Sequence, residues 1–199
     1  MRATAWLSAM LVALAGVGCD ASDALSGPPL FAAFKTLCID TGAAPDAADE
    51  ALRKAGATLK VNASDDTLRP DVVKMNIWNA RFVGHDMMIA TGREDHRAIG
   101  KSPPVHIESC SITSYANEDA GVGEIRKWVG IEPDVYSQLD GATYTYEMVD
   151  GQKHRLPDGD WGLKAQASGR LWTLTLHRFP DGAMVSLARH QTTNFTGRN

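Results

Sequence analysis

Leu171-Trp172-Thr173-Leu174-Thr175-Leu176-His177-Arg178-Phe179, then Pro180-Asp181-Gly182, then Met184-Val185-Ser186-Leu187-Ala188-Arg189-His190, is the stretch whose reading decides the fold. Both flanks are rich in residues that suit a pleated strand and largely alternate in polarity. Between them Pro180 sets φ and Gly182 accepts a positive φ, so the chain should reverse in a tight antiparallel hairpin. Upstream, Thr143 to Val149 runs into Asp150-Gly151, a two-residue hairpin signal, with a short return through Arg155. Met87 to Thr91 and Val105 to Tyr115 read as two further strands.

Ahead of the strands the period is helical. From Pro28, Phe31, Phe34 and Cys38 recur at spacings of three and four, with Leu30 and Leu37 widening the stripe, so Cys38 should face the core. Gly42 ends this helix. A second starts at Pro45, with Asp46, Asp49 and Glu50 in its first turns, Arg53 and Lys54 in its last, and Gly56 beyond, an order that complements the helix dipole. Asp49 with Arg53 and Glu50 with Lys54 form i,i+4 pairs, while Ala48, Leu52 and Ala55 supply a small buried face. Asn62 to Arg69 reads as a polar joint. Asn117 offers an N-cap to a third helix bearing Val122, Ile125, Trp128 and Val129 on one face, with Gly121 and Gly123 weakening it. This order predicts an α+β fold: an antiparallel sheet with two N-terminal helices and one inserted helix packed on one face. No linker divides residues 30–191, which read as a single domain, and 192–199 reads as a polar, frayed tail.

The first eighteen residues read as a targeting segment. Arg2 is the only charge before Asp20, and Trp6 to Gly18 has the length and composition of a secretory signal core. The run Leu14-Ala15-Gly16-Val17-Gly18-Cys19 resembles the lipobox of bacterial lipoproteins, although Gly16 stands where a larger aliphatic residue is usual; lipidation of Cys19 or ordinary cleavage nearby are the two readings. Residues 19–29 then form a tether to the domain. Setting Cys19 aside leaves Cys38 and Cys110 of three cysteines, and in an oxidising compartment a disulfide between them is the simplest account. Two buried free thiols are the alternative.

Composition excludes several function classes. With 20 Lys+Arg against 24 Asp+Glu there is no basic excess to displace counterions from nucleic acid. No apolar run reaches the 18 or so residues of a membrane span, so membrane contact is expected only through an N-terminal lipid. Gly100-Lys101-Ser102 matches the end of a phosphate-binding loop, but Asp95 stands where its first glycine belongs and Pro103-Pro104 prevents the helix that should follow. There is no Gly-x-Ser-x-Gly elbow and no dinucleotide fingerprint, and no cofactor is expected. His106, Glu108 and Cys110 share a strand face, yet at about 3.4 Å per residue His106 and Cys110 stand roughly 13 to 14 Å apart, too far for a thiol–imidazole pair. His85, Asp86, Asp95 and His96 could gather around zinc or copper if Met87 to Thr91 opened a hairpin, although no ligand spacing supports a metal site and solvated turn residues are the plainer account. Trp78, Trp128, Trp161 and Trp172 could line a groove, but two of them sit inside apolar patterns where burial is the commoner use.

Phe31, Phe34, Leu37-Cys38-Ile39 and Thr41, the alanine-rich helix up to Gly56, and Ser109-Cys110-Ser111-Ile112 together resemble a family of small exported proteins of Gram-negative bacteria. The resemblance covers the opening third and one strand; it implies export and a cysteine pair and brings no activity with it. The resulting expectation is an exported cell-envelope protein, a disulfide-braced module that binds an envelope protein or a small ligand. The alternative is an envelope hydrolase with a polar cleft built from His85, His96 and His106.

Overall fold

The computed structural model describes residues 28–64, 71–97, 103–115, 121–137, 141–156 and 161–192. The leader, Cys19, Gly100-Lys101-Ser102 and Asn117 lie outside them, as do the tether before Pro28 and the tail beyond Thr192. Among the described residues no helix is long and apolar enough to cross a membrane.

Nine strands build one antiparallel sheet: β1 (Thr58–Ser64), β2 (Val72–Phe82), β3 (His85–His96), β4 (Val105–Ser114), β5 (Val135–Ser137), β6 (Gly141–Val149), β7 (Gln152–Arg155), β8 (Leu171–Phe179) and β9 (Gly182–Thr192). Eight follow the order β1-β2-β3-β4-β9-β8-β6-β5, and β7 pairs with β6. Four short helices accompany them: α1 (Pro29–Phe34), α2 (Pro45–Lys54), α3 (Val122–Val129) and α4 (Trp161–Ala167). The chain is therefore largely β, which overturns the α+β class with its two N-terminal helices; the sheet carries most of the described residues, and the first helix becomes a π-helical segment at Lys35–Ile39.

Strands absent from the sequence reading explain the difference. In β2 the core-facing alternate positions include Lys74 and Asn76, which reach acids on α2, so no clean apolar alternation is visible. In β1 the register shifts between Leu59 and Val61, which pair with Trp78 and Ile77 and so face opposite sides. The β2–β3 turn uses Val83 at φ 48° and Gly84 at φ 81°, and a β-branched residue in the left-handed region is not a turn signal. Asp150 and Gly151 adopt the positive φ values their hairpin requires. Gly182 does not have a positive φ; there a side chain would collide with the Ser114 carbonyl, so close approach explains the glycine. Gly121 is likewise a packing residue, since an added Cβ would lie 2.8 Å from Phe31 Cβ on α1.

One face of the sheet is sealed. Leu30, Phe34 and Leu37, Ala48 and Leu52, and Val122, Ile125 and Val129 pack on Trp78, Ile89, Ile112, Tyr144, Leu174 and Leu187. Cys38, in the π-helical segment, and Cys110, in β4, are both fully buried there and form a disulfide across 72 residues of chain. Phe34 meets the half-buried Trp128 edge-on at 5.7 Å between ring centroids.

Tyr146 is fully buried on this face, and its hydroxyl has no hydrogen-bond partner among the described residues. Burial pushes the phenol far above its ordinary pKa. Tyr146→Phe removes a buried group that gains nothing, so unfolding free energy should stay level or rise by up to about 1 kcal/mol, read from the urea midpoint. A loss above about 1 kcal/mol would mean that the hydroxyl has a partner.

Candidate functional site

The opposite face carries no α1, α2 or α3 packing, and its composition differs. Two rows of paired residues cross five strands: Ala90, Ser111, Ser186, Thr175 and Thr143 in one, and Gly92, Ser109, Ala188, Thr173 and Thr145 in the next. Every position is small or hydroxyl-bearing, whereas neighbouring rows hold Met88, Met184, Ile107 and Leu171. Small side chains on a pleated surface leave a shallow floor, and a cavity of about 510 Å³ lies over its β2–β3–β4 part, bounded by Met75, Ala90, Gly92, Ser109, Ser111 and, on β9, Ser186, and touching Lys74 and Thr91 of the core-facing set. A second cavity of about 660 Å³ lies at the other end of β2 and β3, near Arg81, Asp86, Met88 and Tyr115.

Charged groups gather at one end of the sheet, on both faces. On the core face Asp49 is 1% exposed and accepts hydrogen bonds from Asn76 Nδ2 (2.6 Å), Trp78 Nε1 (2.9 Å) and Thr91 Oγ1 (2.6 Å), with Lys74 Nζ at 2.7 Å. Burial pulls the Lys74 amine down, but hydrogen bonds to Asp46 and Asp49 outweigh it and hold its pKa above the ordinary value. Arg93 bridges Asp46 and Glu108 at 3.3 and 3.2 Å. His106 pairs through Nδ1 with Asp95 at 2.6 Å and turns Nε2 towards Glu108 at 3.8 Å. On the open face Asp71, Glu94 and His96 converge, and His190 lies in the Glu94 row with Ile107 between them. Burial, then the nearby His96, lowers the His190 pKa below the ordinary imidazole value.

The residues singled out in the sequence are thus dispersed. Cys38 and Cys110 are joined. His85 and Asp86 begin β3 while Asp95 and His96 end it, about 37 Å away at 3.4 Å per residue, so the four-residue metal cluster is not assembled. Met87 to Thr91 belongs to one long strand, and Asp95 and His96 point to opposite faces. The His85, His96 and His106 cleft is undone by the same geometry. His106 has carboxylates near both nitrogens, whereas a base for a hydroxyl nucleophile needs one nitrogen aimed at that hydroxyl. Trp78 and Trp172 lie on the core face, the latter beneath Arg189, rather than in the groove.

Several residues of these clusters escaped the sequence reading. Asp71, Glu94 and Arg93 are ordinary charges until the strands are placed side by side, whereas Glu108 was already placed on the face of His106. Asp49 carried a usable signal, because Pro45, Asp49 and Leu52 share one stripe of α2. Compared with protein-family models, with curated proteins and with solved structures, the chain matches none.

Proposed function

We propose that the chain is an exported protein of the cell envelope whose disulfide-braced sheet is a binding module, holding a small amphipathic ligand in the open-face groove. The contrast between the two faces carries this reading. One is closed by helices over an apolar core; the other offers a floor of small and hydroxyl side chains under a cavity of about 510 Å³, within the range that small-molecule sites occupy. Methionine and hydroxyl groups side by side suit a ligand with both apolar and hydrogen-bonding parts. Export is supported by the leader-like first eighteen residues and by the Cys38–Cys110 disulfide, a bond that persists in oxidising compartments. Lipidation at Cys19 would supply the anchor, and the resemblance to small exported proteins points the same way.

Native, non-reducing mass spectrometry of the full-length gene product, taken from the envelope fraction, tests the proposal. The expected mass starts at Cys19 with acyl chains, lacks two hydrogens relative to the dithiol, and retains a bound small molecule. Ser111→Trp fills the groove floor and should release that molecule while the disulfide and the circular dichroism spectrum stay unchanged. The same bound species on the variant, or none on the wild type, sinks the groove reading. Free thiols at Cys38 and Cys110 sink the export reading.

A further inference from the structure

Asp71, Glu94 and His96 meet at the open-face end of β2 and β3 in a way the groove does not require. Val72 pairs with Glu94, and the Asp95 amide donates to the Asp71 carbonyl at 2.7 Å, which fixes Asp71 beside the end of β3. Glu94 and His96 are two residues apart on one strand and so share a face. Their side chains close the arrangement: Glu94 Oε2 lies 2.9 Å from His96 Nε2, and Asp71 Oδ2 lies 3.5 Å from His96 Nδ1. One donor atom of each residue lies within 4.8 Å of the other two. Glu94 and Asp71 flank different nitrogens of the one imidazole; since donors that hold a zinc ion at about 2.0–2.2 Å stand roughly 3 to 3.5 Å apart, an ion would take one His96 nitrogen and draw both carboxylates to it. Each side chain is about one-third exposed, at 31, 32 and 34%, which leaves an approach for the ion and room for water to complete its shell.

A second observation lies two strands from Glu94, across Ile107. His190, in the row of Glu94 on the same face, has a buried Nε2 with no hydrogen-bond partner among the described residues. Such an orphaned nitrogen is uncommon in a folded protein and is explained where the structure leaves out an ion or water. Imidazole nitrogen disfavours magnesium and calcium, which prefer all-oxygen shells, and two carboxylates disfavour copper(I). Zinc and the neighbouring first-row divalent ions remain.

We propose that Asp71, Glu94 and His96 bind one divalent transition-metal ion, zinc or a close neighbour, with the remaining coordination positions open towards the groove. The site is independent of what fills the groove; Glu94 borders both, yet metal binding is read without any groove ligand.

The test uses full-length protein without a histidine tag, stripped of metal by chelator and titrated calorimetrically with Zn²⁺, and with Co²⁺ followed by visible absorption. One equivalent of Zn²⁺ should bind, and Co²⁺ should produce ligand-field bands. His96→Ala and the near-isosteric Glu94→Gln should each weaken binding about tenfold or more, with an unchanged circular dichroism spectrum. Should His96→Ala not fold, Asp71→Asn reads the same loss. His85→Ala, at the far end of β3, should bind as the wild type does. No heat and no bands with folded wild type overturn the proposal, as does His96→Ala and Glu94→Gln binding at wild-type affinity, or loss of binding in His85→Ala.

Discussion

Replacing Cys38 and Cys110 together by alanine should lower the unfolding free energy by about 4 kcal/mol, the loop-closure value for a cross-link spanning some 70 residues. The bond joins the π-helical segment to β4, a strand with neighbours on both sides, and closes a loop that contains α2, β1, β2 and β3. Without it the unfolded chain regains the freedom of that loop while most folded contacts remain. Urea unfolding followed by tryptophan fluorescence, with and without reductant, gives the comparison. Wild type in reductant should approach the double variant. A double variant within about 1 kcal/mol of the oxidised wild type would show that the unfolded chain does not regain the freedom the loop-closure value assigns to it.

Asp49→Ala should cost about 3 to 5 kcal/mol, as breaking a buried charge pair by removing one partner does. The carboxylate satisfies Asn76, Trp78 and Thr91 and lies against Lys74 while itself 1% exposed. Its removal leaves three buried donors without their acceptor and Lys74 with Asp46 alone, which is the expensive direction of a hydrogen-bond deletion. Asp49→Asn preserves the volume but turns amide hydrogens towards other donors, so it should also destabilise. The natural control is Glu50→Ala, whose i,i+4 partner Lys54 is on the surface and whose loss should leave the urea midpoint where it is in the wild type. A cost below about 1 kcal/mol for Asp49→Ala would mean that α2 is held to the sheet by its apolar stripe alone.

How far the sequence could be read follows from these particulars. The hairpin at Asp150-Gly151 was legible because both residues take the positive φ that its turn demands, and the one at Pro180-Asp181 because its proline and flanking strands announce a reversal, although Gly182 is there for close packing on Ser114 and not for a positive φ. The cysteine pairing was legible because setting Cys19 aside leaves two cysteines in a chain with an export-like leader. β2 was not, because Lys74 and Asn76 occupy core-facing positions for the sake of acids on another element. Asp49 read as a surface ion-pair partner of Arg53, and only the packing of α2 turns it inward. The hydroxyl rows of the open face were half legible: Ser109 and Ser111, Thr143 and Thr145, and Thr173 and Thr175 show hydroxyls at every second residue. Strand order decides that they adjoin, and strand order is a long-range property that local periodicity does not encode. Asp71, Glu94 and His96 were hidden for the same reason, since Asp71 reaches the other two only through the pairing of β2 with β3.

The shifted register of β1 bears on how the molecule meets its own kind. β1 is the outermost strand next to β2, so its far side offers backbone groups to any passing chain. A straight seven-residue ladder there, with Leu59 and Val61 exposed, would be a template for stacking sheet upon sheet end to end. The irregularity at Lys60 divides that template into two short pieces and sends the two apolar side chains to opposite faces. A second copy arriving at this edge finds neither a continuous row of hydrogen-bond partners nor a common apolar strip, and growth of the sheet into a fibre is checked at its most accessible point.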